Sequence, residues 1–194
     1  MAQSARRIAT PDDFWAIPEE DRFHELIDGE IIPKASPSGA HGGAQALLVG
    51  AITPFHRSSR SSGGPGGWWI ALEVEVLLGG GEIVRPDVLG WRRDRCPERP
   101  ISMPVKQPPD WVCEILSPSN AKHDTVKKLH LYHRSAIVHY WIIDPQEATF
   151  TVMRWSPDGY TTLLRAERDE TVRAEPFQQV EVPVGTLFGD DPPY

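Results

Sequence analysis

The chain has 194 residues, 40% of them hydrophobic and 24% charged, which suffices to bury one good core and is too little for two ordinary domains. A formal net charge of -7 argues against a protein that coats nucleic acid nonspecifically, because such binding rests on many Lys and Arg contacts to phosphate; an enzyme with a local basic groove is still compatible with it. Two cysteines, Cys96 and Cys113, exclude a disulfide framework and a zinc-ligand spacing.

No apolar run approaches the ~20 residues needed to span a bilayer, so no membrane partner is expected. The two arginines near the N-terminus precede no apolar h-region, and a cytoplasmic location is the default. With 19 prolines and 16 glycines the chain is rich in turns.

Thr10-Pro11-Asp12-Asp13 starts a short helix: a hydroxyl cap, a proline at the first position and acids in the first turn. In residues 23–33, Asp28-Gly29 stands between two apolar-rich runs and predicts a two-residue hairpin. Its register sets Leu26 opposite Ile31 and Glu25 opposite Ile32. Glu25 then shares a face with Ile27, so either it lies near a site or that face is only half covered. A Ser, Pro and Gly-rich loop over 34–40 leads into a helix whose Ala44, Leu47, Leu48, Ala51, Ile52 and Phe55 recur at helical spacing. His41 precedes Ala44 on the same face, either as a packed histidine at the helix start or at the mouth of a site.

Residues 68–91 read as two strands joined by a Gly-rich turn. Ile70, Leu72, Val74 and Val76 form the buried face of the first, with Glu73 and Glu75 on the mixed face. The second carries Ile83, Arg85 and Asp87 on one face, and Pro86 marks a strand end or bulge. A polar, Pro-rich connection over 92–109 holds Arg92, Arg93, Arg95 and Arg99, the strongest basic patch in the sequence. A short apolar strand bearing Glu114 follows, and Ser119 can cap the next helix, along which Asp124, Lys128 and Tyr132 stack four apart. The near-continuous apolar run 138–144 predicts a central strand covered on both faces, and antiparallel strands follow from residue 149 on.

Asp87 and Glu114 are the chemically telling pair. An isolated ionised carboxylate in a mostly buried strand is costly unless a cation or hydrogen bonds compensate it. Two such acids on separate strands make a candidate metal site. Mg²⁺ or Mn²⁺ takes oxygen ligands, and the backbone carbonyl of Ile115 can add a third oxygen.

Arg85-Pro86-Asp87, Glu114 to Ser119, Asp124 with Lys128 and Tyr132, and Tyr140-Trp141 with Asp144-Pro145 together resemble a family of putative restriction endonucleases within the PD-(D/E)XK nuclease superfamily. Glu25 to Glu30 and His41-Gly42 resemble that family's first hairpin and helix. The resemblance implies an α/β (α+β) fold, with a restriction endonuclease-like mixed sheet flanked by helices over 10–155. Extra antiparallel strands over 156–194 would extend this one domain of residues 1–194. It also implies a Mg²⁺-dependent DNA endonuclease, often a homodimer, with Asp87 and Glu114 as metal ligands and as catalytic residues. Glu25, His41, Asp124 and Tyr132 would be auxiliary. The superfamily pattern places lysine two residues after the second acid, where this chain has Leu116. Lys128 on the next helix is the expected replacement, with Lys127 the alternative. A catalytically silent fold that binds DNA or a protein is the competing reading.

Overall fold

Thr10 and Asp13 cap each other at the first helix: Thr10 Oγ1 accepts from the Asp13 amide at 3.3 Å, and Asp13 Oδ2 accepts from the Thr10 amide at 2.9 Å. The computed structural model describes residues 7–57, 66–117 and 123–191, for His123 and Asp124 the backbone alone. The predicted Ser119 cap and the Asp124 side chain therefore lie outside the described residues. Helix α1 (Pro11–Trp15) inserts Phe14 between Leu26 and Ile83, pinning the hairpin that follows.

That hairpin pairs β1 (His24–Ile27) with β2 (Glu30–Pro33) in the predicted register, Glu25 opposite Ile32 and Leu26 opposite Ile31. Its two turn residues are both left-handed, Asp28 at φ 50° and Gly29 at φ 72°. This backbone suits the twist of a two-residue hairpin.

The two strands expected over 68–91 are four. β3 (Trp68–Leu72) and β4 (Val76–Leu77) are separated at Glu73, while β5 (Ile83–Val84) and β6 (Val88–Arg92) are separated at Arg85-Pro86-Asp87. Each break is physical. Glu73 takes a left-handed φ of 53°, which ends the pleat and resets its alternation. Pro86 has no N–H to give a ladder. The predicted buried face consequently fails before the break, where Leu72 is 43% exposed, and holds beyond it, where Val76 is fully buried. The halves also part company. β4 and β5 join the hairpin in a four-stranded sheet of order β2-β1-β5-β4, and β3 and β6 join a second sheet.

The second sheet has six strands. It adds β7 (Trp111–Ile115), β8 (His139–Asp144), β9 (Thr149–Ser156) and β10 (Gly159–Glu167) in the order β10-β9-β8-β7-β6-β3. β7 and β8 are parallel and the other pairs antiparallel. A parallel pair needs a crossover, and here it includes a π-helical turn, His123–Lys128, running into α3 (Leu129–Arg134).

Helix α2 (Gly39–Ile52), capped by Ser38, lays Ala44, Leu48 and Ile52 against Val88, Cys113, Ile115 and Trp141. Leu47 falls off this stripe and is 42% exposed. Leu131 and Tyr132 of α3 belong to a second core with Leu89, Val112 and Tyr140. The sheet is thus mixed and covered by helices on both faces. The C-terminal segment contributes β11 (Thr171–Val172) and β12 (Val182–Pro183). Phe177 between them packs edge-on against Trp68, Trp111 and Trp141, with ring centroids 5.1, 4.9 and 5.5 Å away.

Candidate active site

Asp87 lies where one sheet hands over to the other. The β6–β7 ladder pairs Val88 with Cys113 and Leu89 with Val112; continued one step, it sets Asp87 opposite Glu114. Like charges facing each other across strands destabilise a sheet, and both residues are buried, at 2% and 1% exposure. The compensation comes from three directions.

The first is backbone. Asp87 Oδ2 accepts a hydrogen bond of 2.6 Å from the Ile115 amide. A strand residue directs N–H and C=O to the same side, so the Ile115 carbonyl also opens on the Asp87 side.

The second is Lys128. Its ammonium, on a side chain 3% exposed, stands 3.0 Å from Glu25 Oε2 and 3.1 Å from Glu114 Oε1. Tyr132, one turn along, donates its hydroxyl to the same Glu114 oxygen. Glu25 Oε1 accepts from the Arg85 amide at 2.8 Å, which ties the hairpin to the broken β5–β6 strand. The hairpin's apolar face therefore carries an acid because that acid belongs to the site. Lys127 turns away to Glu30 at 2.8 Å, so Lys128 is the lysine that converges on the acids.

The third is Lys34, which directly follows β2. Its Nζ lies 2.7 Å from Asp87 Oδ1 and 2.8 Å from Glu73 Oε2, and it also donates to the Arg85 carbonyl. Gln45 of α2 donates to the Asp87 carbonyl at 2.8 Å and to Glu73 Oε1 at 3.4 Å. Neither Lys34 nor Glu73 stood out as a site residue in the sequence. A lysine in a Ser/Pro loop carries no signal, and strand alternation assigned Glu73 to a mixed face with Glu75.

His41, in the first turn of α2, is 7% exposed and brings Nε2 to 3.5 Å from Asp87 Oδ1. That is too long for a firm hydrogen bond, and neither ring nitrogen has a hydrogen-bond partner among the described residues. His41, Glu73 and Asp87 each offer a ligand atom within 4.8 Å of the others.

The electrostatics follow from this packing. Burial pushes Asp87 up, but His41, Lys34 and Lys128 outweigh it and hold the carboxyl well below its usual range. Neighbouring Asp87 raises His41 against the opposing effect of burial. Glu73 is raised, burial outweighing Lys34. Burial opposes the charge on Lys34, yet Asp87 and the other acids keep its pKa above the ordinary value. Tyr132 is pushed well up by burial and by Glu114, and stays a neutral donor.

Between Lys34, His41, Asp87, Glu114 and Lys128 lies a cavity of about 20 Å³, room for one water-sized occupant. Two carboxylates, a main-chain carbonyl side and an unsatisfied imidazole form a donor set suited to a hard or borderline divalent cation such as Mg²⁺ or Mn²⁺. The residues fit such an ion.

The four-arginine patch is largely engaged elsewhere. Arg92 pairs with Asp94, Arg95 pairs with Asp110 at 2.6 Å, and Arg93 stacks 3.5 Å over the Trp69 ring.

A helix-flanked mixed sheet with two facing acids at a strand break, and a buried lysine from the next helix, defines a restriction endonuclease-like scaffold. The chain belongs to the Uma2 family, described as "Putative restriction endonuclease", which matches residues 11–185. It is also similar to a crystal structure titled as a putative nuclease belonging to DUF820 from Anabaena variabilis. The TM-score is 0.74 and the identity 27%, over 92% of this chain and 97% of that one. No curated protein matches.

Proposed function

We propose that this protein is a divalent-metal-dependent endonuclease that hydrolyses DNA phosphodiester bonds. The observation that carries the reading is the convergence of the Lys128 ammonium on Glu114, beside Asp87, in one buried pocket. Family membership and the likeness to a structure titled as a nuclease support it.

When bound, Mg²⁺ or Mn²⁺ supplies charge neutralisation at the phosphoryl oxygens and a water of lowered pKa. Asp87 and Glu114 would hold it with the Ile115 carbonyl, and His41 and Glu73 stand beside Asp87 to complete or tune the set. Asp87, kept ionised by its neighbours, offers its charge to a cation over the whole neutral range. Lys128 places a positive charge at the acid pair, where it offsets negative charge building on the phosphoryl group. Tyr132 fixes the Glu114 carboxylate by donating to it, and Glu25 fixes Lys128. Homodimer formation goes with this reading and rests on the family resemblance.

Supercoiled plasmid incubated with Mg²⁺ or Mn²⁺ tests it. The expected result is nicking by the parent and at least 100-fold less by Asp87→Ala and Glu114→Ala. Equal activity in all three would assign the cleavage to another site.

A second reading has an observation of its own. Lys34 and Lys128 already pair with both central acids, as in a nuclease fold that only binds DNA or a protein. No cleavage by any of the three, with DNA retained in a binding assay, would favour it.

A further inference from the structure

The chain carries its own cation where a metal would go. The His41, Glu73 and Asp87 ligand atoms lie within 4.8 Å of each other, and the Lys34 ammonium bridges two of those three, at 2.8 and 2.7 Å. Both distances are typical of a charge-assisted hydrogen bond. The Lys34 side chain is only 7% exposed, so it is not a surface lysine resting on an acid. His41, itself buried, brings Nε2 to 3.5 Å from Asp87 Oδ1, and neither ring nitrogen has a hydrogen-bond partner among the described residues.

The charge balance points the same way. Among the described residues, four buried or half-buried carboxylates, Glu25, Glu73, Asp87 and Glu114, meet two ammoniums, Lys34 and Lys128, so acids predominate there. The cavity of about 20 Å³ holds a single water-sized body beside the ammonium. A cation that keeps its own waters needs the space Lys34 fills.

Glu73 reaches the cluster from a left-handed backbone position, φ 53°, a conformation disfavoured for a residue with a side chain. Lys34 starts a segment, residues 34–38, that has no regular structure. An acid is thus held rigidly at a strand break, and its ammonium partner sits on the chain between two elements.

We propose that Lys34 is a built-in, displaceable cation that occupies the His41–Glu73–Asp87 site and competes with a divalent metal ion for it. The proposal rests on the reading of Asp87 as a cation-binding acid. Lys34 keeps the acids paired and the fold intact in the metal-free protein, and its withdrawal opens the Asp87 oxygen to the ion. Lys34 is in this sense a positioning residue that sets the metal threshold of the site.

The test is Mn²⁺ binding by isothermal titration calorimetry to the full-length parent, Lys34→Met and Asp87→Ala, with melting temperature read with and without Mn²⁺. Lys34→Met should melt lower than the parent without metal, bind Mn²⁺ at least 10-fold more tightly, and show the larger Mn²⁺-induced rise. Lys34→Gln, which keeps a polar donor for Asp87, serves if the Met variant does not fold, with the same expectation. Equal or weaker Mn²⁺ binding by the Lys34 variants, with binding lost in Asp87→Ala, overturns the competition and leaves the metal site standing. Failure of every protein to bind Mn²⁺ at millimolar concentration removes both.

Discussion

Lys128 and Glu114 meet at 3.1 Å with both side chains almost wholly removed from solvent, one on the crossover and the other on the central strand it follows. A buried ion pair that loses one partner leaves an uncompensated charge, at a cost of about 3–5 kcal/mol. Lys128→Met is therefore expected to lower stability by about that amount in urea denaturation. Lys128→Met combined with Glu25→Gln should recover part of the loss, because one of the two stranded carboxylates is neutralised. A Lys128→Met protein as stable as the parent would show that the ammonium is not needed to hold the acids.

Tyr132 donates to the Glu114 oxygen that Lys128 also touches. Tyr132→Phe removes only that hydroxyl. A hydrogen bond to a charged group contributes about 1.5–3 kcal/mol, and a loss of that size is expected in denaturant titrations. Plasmid nicking should fall less than in Glu114→Ala, since the carboxylate remains and only its orientation loosens.

The parts of this site that sequence made legible are those where one polar residue interrupts an apolar pattern. Asp87 and Glu114 stand out because a strand pays for a carboxylate it does not need, and Glu25 because the hairpin register turns it inward with Ile27. Lys128 and Tyr132 follow from helical spacing, although the turn leading to them is π-helical and shifts the phase before Lys128. Lys34 and Glu73 were hidden for opposite reasons. Lys34 lies in a loop whose composition says nothing about direction. Glu73 lies at a left-handed step between β3 and β4 that the apparent alternation hid, so the pattern gave no sign of its approach to Lys34 and Asp87. The same step split the first of the two expected strands and Pro86 split the second, so that two became four in two sheets. The arginine patch misled because its partners, Asp94 and Asp110, turn basic composition into structural ion pairs.

His139 begins β8 and is largely buried, and burial lowers its pKa from 6.5 to about 4. With the folded value below the unfolded one, the imidazole is neutral in both states above pH 6.5 and contributes no pH dependence there. As pH falls below 6.5 the unfolded chain takes up a proton that the folded one refuses, so stability declines until pH reaches about 4. The shift corresponds to a loss of up to roughly 3 kcal/mol. Urea denaturation between pH 7 and pH 4 should show a shallower decline for His139→Gln than for the parent. Parallel curves for the two would mean that His139 titrates normally in the folded protein.

Gly90 sits in β6, three residues beyond Asp87, where an added Cβ would lie 3.2 Å from the Trp68 ring, 3.3 Å from the Trp111 ring and 3.4 Å from the Trp69 carbonyl. Two indoles and a main-chain oxygen cannot all yield, and inserting a methyl into packing this close costs about 1–3 kcal/mol. Gly90→Ala is therefore expected to destabilise the fold without touching any charged group of the site. Because β6 also positions Asp87 opposite Glu114, the variant should nick plasmid more slowly than its folded fraction predicts. Full activity per folded molecule, measured by nicking after correction with circular dichroism, would show that the acid pair is held independently of the strand that carries it.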